Sequence, residues 1–404
     1  MTFDMKKVYA ITAATALIVI AIFAAVHFIT LASDDSRESI KVGFVYDGDE
    51  STPYSANFMR AKRDVEKKLG KKAEIIEKSN IPDSGGGEKA ITELVDEGCD
   101  IIFTTSFGFG ETAKRLAGQH PGIQFCQATC YNADEDPVYS NYHTFMGEIY
   151  QGRYISGVVA GMKLREMISE QKITPGQAKI GYVAAFPYAE VISGYTAFFL
   201  GVRSVVPEAV MEVKYTDTWS SYTIEKKCAD ELIERGCVVI SQHSDTTGPA
   251  VACEEVFGEK DVYHIGYNLS MVNVAPTSSI ISSRINWSPY IVGACEAVLA
   301  NRRIEDYVSG NVHGNDIGAG FEKGWVEMLE LNSYIAAEGS ADIIKQLTND
   351  FINGKKDVFK GNYTGVDPFD VNNTCDLNGG FIENATRSAP MFGYVLKDVI
   401  TIIE

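Results

Sequence analysis

The chain has 404 residues, 45% of them hydrophobic and 22% charged. That is enough for two or three lobes at about 150 residues each, and the composition excludes a collagen-like, coiled-coil or mainly disordered chain. Thirty-six Lys and Arg face 54 Asp and Glu, for a net charge of −18; so negative a surface repels phosphate backbones, and no nucleic-acid partner is expected.

Lys6 and Lys7 precede an apolar run, Val8–Ala32, that carries no Asp, Glu, Lys or Arg and a single His, His27. About 20 apolar residues span a bilayer, and secretory h-regions are shorter, about 7–15 residues. The expectation is an N-terminal membrane anchor or signal segment over residues 1–36. The basic residues before it and Asp34 and Asp35 after it put the N-terminus inside and the body outside the cytoplasm. A cleaved signal would leave the body secreted or periplasmic instead.

The body then alternates. Ile40–Tyr46 is an apolar strand, and Phe58, Ala61, Val65 and Leu69 recur at helical spacing before Gly70. Ala73–Glu77, Asp100–Thr105 and Gly122–Cys126 read as further strands, with a helix around Ile91, Leu94 and Val95. Residues 131–143 read as a polar loop, and a long helix follows from about Gly147 to Ile168. A second series has strands near 179–184, 211–216, 237–241, 262–266 and 280–283, with helices near 189–205, 223–235, 247–257 and 289–301. Such alternation implies parallel sheets covered by helices on both faces, hence an α/β fold. The division expected is an N-terminal lobe of 38–148 plus about 272–305, and a C-terminal lobe of 149–271 plus about 306–330. An extension over 331–404, rich in Gly, Asn, Asp and Pro between 354 and 388, packs on them and ends in a strand or short helix at 395–403.

Catalytic signatures are missing. There is no G-x-x-x-x-G-K-[ST] loop, no G-x-G-x-x-G, no H-E-x-x-H and no G-x-S-x-G. Cys126 and Cys130 are spaced C-x3-C without a second pair, a weak zinc signal. Neither a metal nor a cofactor is expected, and the chain does not read as an enzyme.

In open α/β sheets, ligands bind beyond the carboxyl ends of the strands, and two facing lobes make a cleft there. After the first strand come Asp47, Asp49, Tyr54 and Asn57; after the third, Ser106 and Phe107. In the second series Trp219 follows 211–216, Gln242 and Asp245 follow 237–241, Tyr267 and Asn268 follow 262–266, and Trp287 follows 280–283. Aromatic faces beside amides and carboxylates suit a flat, hydrogen-bonding heterocycle. These loops hold almost no Arg or Lys, which argues against a phosphate ligand. The bland reading is that Asp49 and Asp245 cap helices and that Phe107 and Tyr267 are core.

Several long blocks in order resemble a known family. They are DIIFTTSFGF from Asp100, YQGRYISGVVAGM from Tyr150 and GYVAAFPYAEVISGYTAFFLGVRSVVPEA from Gly181, then TDTW from Thr216, SQHSD from Ser241 and IGYN from Ile265. Over about residues 40–330 the chain resembles the basic membrane protein (Med or PnrA-like) family of ABC-transporter substrate-binding proteins. The resemblance implies a two-lobed type I periplasmic-binding-protein fold, each lobe Rossmann-like, preceded here by the membrane segment. It implies a purine nucleobase or nucleoside held between the lobes by hinge closure, and an ABC permease as partner. Tyr54 takes the place of the family's first stacking aromatic. Asn268 takes the place of a carboxylate that grips ribose in nucleoside binders, and Trp287 falls near the place of a Lys. Losing that pair, with TDTW and SQHSD, leans toward a free base. The alternatives are a membrane-anchored ligand sensor of the same fold, or a binder of a sugar or vitamin.

Overall fold

The computed structural model describes residues 36–85 and 87–404. The Val8–Ala32 segment lies outside them; among the described residues no helix is long and apolar enough to cross a membrane. In chain order the first lobe begins with β1 (Ile40–Val45), α1 (Pro53–Leu69), β2 (Ala73–Lys78), α2 (Glu88–Asp96), β3 (Ile101–Thr104), α3 (Gly110–Gln119), β4 (Gln124–Ala128) and β5 (Tyr142–Gly147). The second lobe follows as α4 (Tyr150–Ser169), β6 (Lys179–Ala184), α5 (Ala189–Arg203), β7 (Val210–Tyr215), α6 (Tyr222–Glu234), β8 (Val239–His243), α7 (Gly248–Val256), β9 (Tyr263–Tyr267) and β10 (Ser279–Ile285). Then come α8 (Ser288–Leu299), β11 (Asn311–His313), β12 (Asp316–Ala319), β13 (Val326–Met328) and α9 (Ser340–Ile352). The chain ends with β14 (Thr364–Val366), β15 (Thr374–Asp376), β16 (Val395–Leu396) and β17 (Ile400–Ile403).

Two seven-stranded sheets carry the lobes, ordered β11-β12-β5-β4-β3-β1-β2 and β13-β10-β9-β8-β6-β7-β17. Their central strands run parallel; only β11 and β13 pair antiparallel, at the edges. The central parallel strands are buried on both faces: β3, Ile-Ile-Phe-Thr, is buried throughout, and so are β8 and β9. This is why they read as apolar runs rather than as alternating patterns.

The lobe boundaries differ from the sequence division. β10, within 272–305, pairs with β9 in the second sheet, while α8 after it packs on α1 in the first lobe. β12, within 306–330, pairs with β5 in the first sheet. The chain therefore crosses between lobes at 147–150, 285–288 and 319–326. A strand's own residues set its hydropathy, but its partner sets its sheet, so the crossings were not visible locally. β5 also replaces the end of the expected 131–143 loop.

The first core centres on Phe58, stacked on Trp287 at 4.3 Å between ring centres, and Phe145, stacked on Tyr290 at 3.8 Å. In the second, α4 and α5 cross so closely that a Cβ on Gly157 would lie 1.8 Å from the Phe198 carbonyl oxygen. A Cβ on Gly201 would lie 2.2 Å from that of Tyr154. Both glycines sit in the blocks that carry the family resemblance, and backbone contact at the crossing is what they permit. All eight cysteines are free, seven of them buried, so Cys126 and Cys130 form no disulfide. Among the described residues no cluster of His, Cys, Asp or Glu could hold a metal.

Candidate functional site

The carboxyl ends of the two sheets face each other across a narrow, largely enclosed cleft, the place where ligands bind in folds of this class. The first lobe lines it with Asp47 after β1, Tyr54 on the first turn of α1, Ser106 and Phe107 after β3, and Thr129 after β4. The second lobe contributes Glu190 on the first turn of α5, Trp219 after β7, His243 and Asp245 at the end of β8, and Tyr267 at the end of β9. Among the described residues no Lys or Arg lines the cavity.

Each aromatic ring is held by identifiable partners. The Tyr54 hydroxyl donates to the Thr105 carbonyl at 2.6 Å, and its ring meets Phe58 edge-on at 5.1 Å. Trp219 packs edge-on to Phe186 at 5.1 Å and leans on Tyr188 at 6.1 Å. Tyr267 is clamped between His243, 4.9 Å between ring centres, and the Arg153 guanidinium, 3.6 Å from its ring centre. Arg153 is itself buried and donates to the Gln242 carbonyl at 2.9 Å. Its charge stays behind the ring rather than in the cleft, a desolvated cation–π contact.

The polar groups are tuned by burial. Desolvation pushes Asp245 well above the usual carboxyl range, and the neighbouring Asp47, Glu225 and Glu190 carboxylates add to it, against Arg153. Burial likewise raises Asp47, although Ser55 Oγ donates to its Oδ1 at 2.9 Å. The Asp245 carboxyl, the more strongly shifted of the two, can donate as well as accept when it holds its proton. Burial lowers His243 even though Glu190 Oε1 is 3.6 Å from its Nε2, so the imidazole stays neutral. A second layer fixes the Asp245 turn: Glu225 accepts from Ser244 Oγ at 2.8 Å and from the Thr246 amide at 3.1 Å. Thr129 adopts φ 63°, a left-handed conformation that is rare for a β-branched residue and marks a strained point in the wall.

Six of the ten residues singled out from the sequence line this cavity: Tyr54, Ser106, Phe107, Trp219, Asp245 and Tyr267. Four do not. Asn57 is buried and donates to the Ile285 carbonyl at 2.6 Å, tying α1 to the crossing after β10. Gln242 spends its side chain on the Ser244 and Thr246 carbonyls, at 2.9 and 2.8 Å, and on His264 at 3.0 Å. Asn268 sits behind Asp245, donating to its Oδ1 at 3.3 Å. Trp287 belongs to the first-lobe core. Asp49 caps its own turn, accepting from the Ser51 amide at 2.9 Å.

Asp47, Thr129, Glu190 and His243 complete the lining, and a signal existed for three of them. Along β8, Ser241 and His243 share one face and Gln242 the other, and Asp245 follows two residues past the strand end, where the strand-end rule points. Glu190 follows β6, and Asp47 follows β1, by the same strand-end rule that selected the rest.

Two α/β lobes joined by three crossings around a polar-aromatic cleft define a bilobal solute-binding protein. Solved solute-binding proteins of ABC transporters share the fold. One from Conexibacter woesei covers 79% of this chain and 98% of its own, at 16% identity and TM-score 0.59. One from Aeropyrum pernix covers 78% and 92%, at 15% identity and TM-score 0.64. The chain belongs to the PnrA-like family of ABC transporter substrate-binding proteins, whose family model matches residues 39–355. That family binds small molecules for a membrane permease, works outside the cytoplasm and is not a family of enzymes. A purine-binding protein of Brucella abortus is 28% identical over 296 residues, 72% of this chain and 76% of that one. A provisionally named ABC transporter glucose-binding protein of Haloferax volcanii is 28% identical over 274 residues, 68% of this chain and 62% of that one.

Proposed function

We propose that the chain captures a purine, as the free base, between its lobes and presents it to an ABC permease from the outer side of a membrane. The observation that carries this reading is the composition of one cavity. It gathers two aromatic rings from each lobe, Tyr54 and Phe107 with Trp219 and Tyr267, around three carboxyl groups and one histidine. Rings stack on a flat heterocycle at little entropic cost. Asp245, held well above the usual carboxyl range, and neutral His243 offer both donors and acceptors to its edges, and Asp47 offers acceptor oxygens. A phosphate would meet three carboxyl groups and no cation, which disfavours a nucleotide. The lobes close on the ligand and exclude water; the ligand shifts that equilibrium only by its preference for the closed form. The Val8–Ala32 segment, left uncleaved, anchors the body to the membrane.

A sugar is the second reading, favoured by the name of the Haloferax volcanii relative. Thermal unfolding with adenine, guanine, hypoxanthine, adenosine and glucose separates the two, since a ligand specific for the native state raises the midpoint. A shift with a free base and none with glucose is the expected result. A shift with glucose alone overturns the purine reading and keeps the fold.

A further inference from the structure

The C-terminal extension reaches the mouth of the cleft. It runs past residue 355, where the family match stops, and bridges both lobes. Ser388 donates its amide and its hydroxyl to the buried Asp316 of β12, the hydroxyl at 2.6 Å. Four residues on, Phe392 is buried in the second-lobe core and its amide donates to Glu383 at 3.0 Å. β17 then adds to the second sheet beside β7. Held at both sides, the extension forms one wall of an outer cavity that is open to solvent. Phe107, Thr129 and Glu190 line both this cavity and the inner cleft, so the two lie side by side, with these three residues between them.

The outer walls are unusual for a surface. Tyr131 and Tyr188 are each 44% exposed, and Phe369 of the extension is 76% exposed. Phe107 links the two tyrosines, 6.2 Å from Tyr131 and 5.8 Å from Tyr188 between ring centres. Exposed rings grouped around one cavity mark a binding surface rather than scattered surface residues. Arg387 supplies a cation: its guanidinium lies 4.4 Å from the Tyr131 ring centre, and Nη2 donates to the Pro390 carbonyl at 3.2 Å. Its Nε is buried with no hydrogen-bond partner.

We propose that this vestibule is a second subsite, taking an apolar or aromatic substituent, with a hydrogen-bond acceptor for Arg387, on the ligand whose planar ring occupies the inner cleft. The proposal rests on the reading of that cleft as a base site. On it, the extension makes the protein selective for ring-substituted ligands over the bare base.

Two titrations of the full chain test this. The first compares adenine with benzyladenine in the wild type and in Phe369→Ala, a change at an exposed ring. Benzyladenine binds about tenfold more tightly than adenine in the wild type, and Phe369→Ala removes the gain while adenine affinity stays within about twofold. The second uses anilinonaphthalene sulfonate, two aromatic systems with an acidic acceptor, and needs no purine. It binds at one site and loses about tenfold in affinity in Phe369→Ala and in Arg387→Ala. The dye decides the subsite. Unchanged dye affinity in both variants overturns it, whatever adenine does. Dye binding that depends on both residues, with no adenine binding, upholds the vestibule and overturns the base reading.

Discussion

Trp219→Ala is the sharpest perturbation of the cleft. Trp219 is half-buried and packs on Phe186 and Tyr188 inside the second lobe. Its structural contact with the Asp245 turn is made by its backbone, whose carbonyl accepts from the Asp245 amide at 2.9 Å. The side chain can therefore be removed with the turn intact. A base stacked on an aromatic ring gains about 1–3 kcal/mol from it, so affinity should fall about 5- to 150-fold. Trp219→Phe, which keeps a ring, should lose less than about 1 kcal/mol. Calorimetry gives the affinity and circular dichroism verifies the fold. Fluorescence adds an internal control, because Trp287 and Trp325 are buried and Trp219 alone of the three tryptophans lines the cleft. Ligand should change the wild-type emission but not that of Trp219→Phe. A folded Trp219→Ala protein that binds adenine within about twofold of the wild type would refute stacking at this position.

Three further outcomes are expected. Tyr54→Phe loses the hydroxyl that donates to the buried Thr105 carbonyl; stability should drop by about 1 kcal/mol in urea unfolding while the retained ring keeps adenine affinity within about threefold. Gly157→Ala places a Cβ 1.8 Å from the Phe198 carbonyl oxygen. It should cost about 3 kcal/mol by forcing α4 and α5 apart, and a loss below about 1 kcal/mol would contradict the close crossing. Burial lowers His264 from 6.5 to about 3. The unfolded chain then takes up a proton that the folded one refuses, so this stabilisation is complete above pH 6.5 and is lost as pH falls toward 3. Relative to His264→Gln, the wild type should lose roughly 3 kcal/mol between about pH 7.5 and pH 4.5. Equal pH slopes would show that His264 is not buried as described.

The repeating strand–helix pattern was legible because most of the parallel strands carry a short apolar run and their helices stop at residues such as Gly70 and Gly98. β5 was not, for a physical reason. Its His143 and Thr144 are polar yet buried, satisfied by Glu305 at 2.5 Å and Asp316 at 2.8 Å. Both partners lie more than 160 residues away in sequence, so local hydropathy reads the segment as loop. The candidate site was legible through the strand-end rule, which names the right loops but not the side chains within them. Tyr267 and Asn268 are neighbours on the chain, yet the first lines the cleft and the second braces Asp245 behind it. Trp287 illustrates the opposite limit. It follows a strand end, but the crossing after β10 carries it into the first lobe, where Phe58 stacks on it. The vestibule escaped sequence reading because Phe369 and Arg387 join Tyr131 and Tyr188 only through the path of the extension.

The measurement closest to the central claim is calorimetric titration of the purified chain, unfolded and refolded first to release any co-purified ligand. The panel is adenine, guanine, hypoxanthine, adenosine and glucose. The account predicts one-to-one binding of a free base, tighter than its nucleoside, with no heat from glucose. Heat from glucose and none from any purine would contradict it.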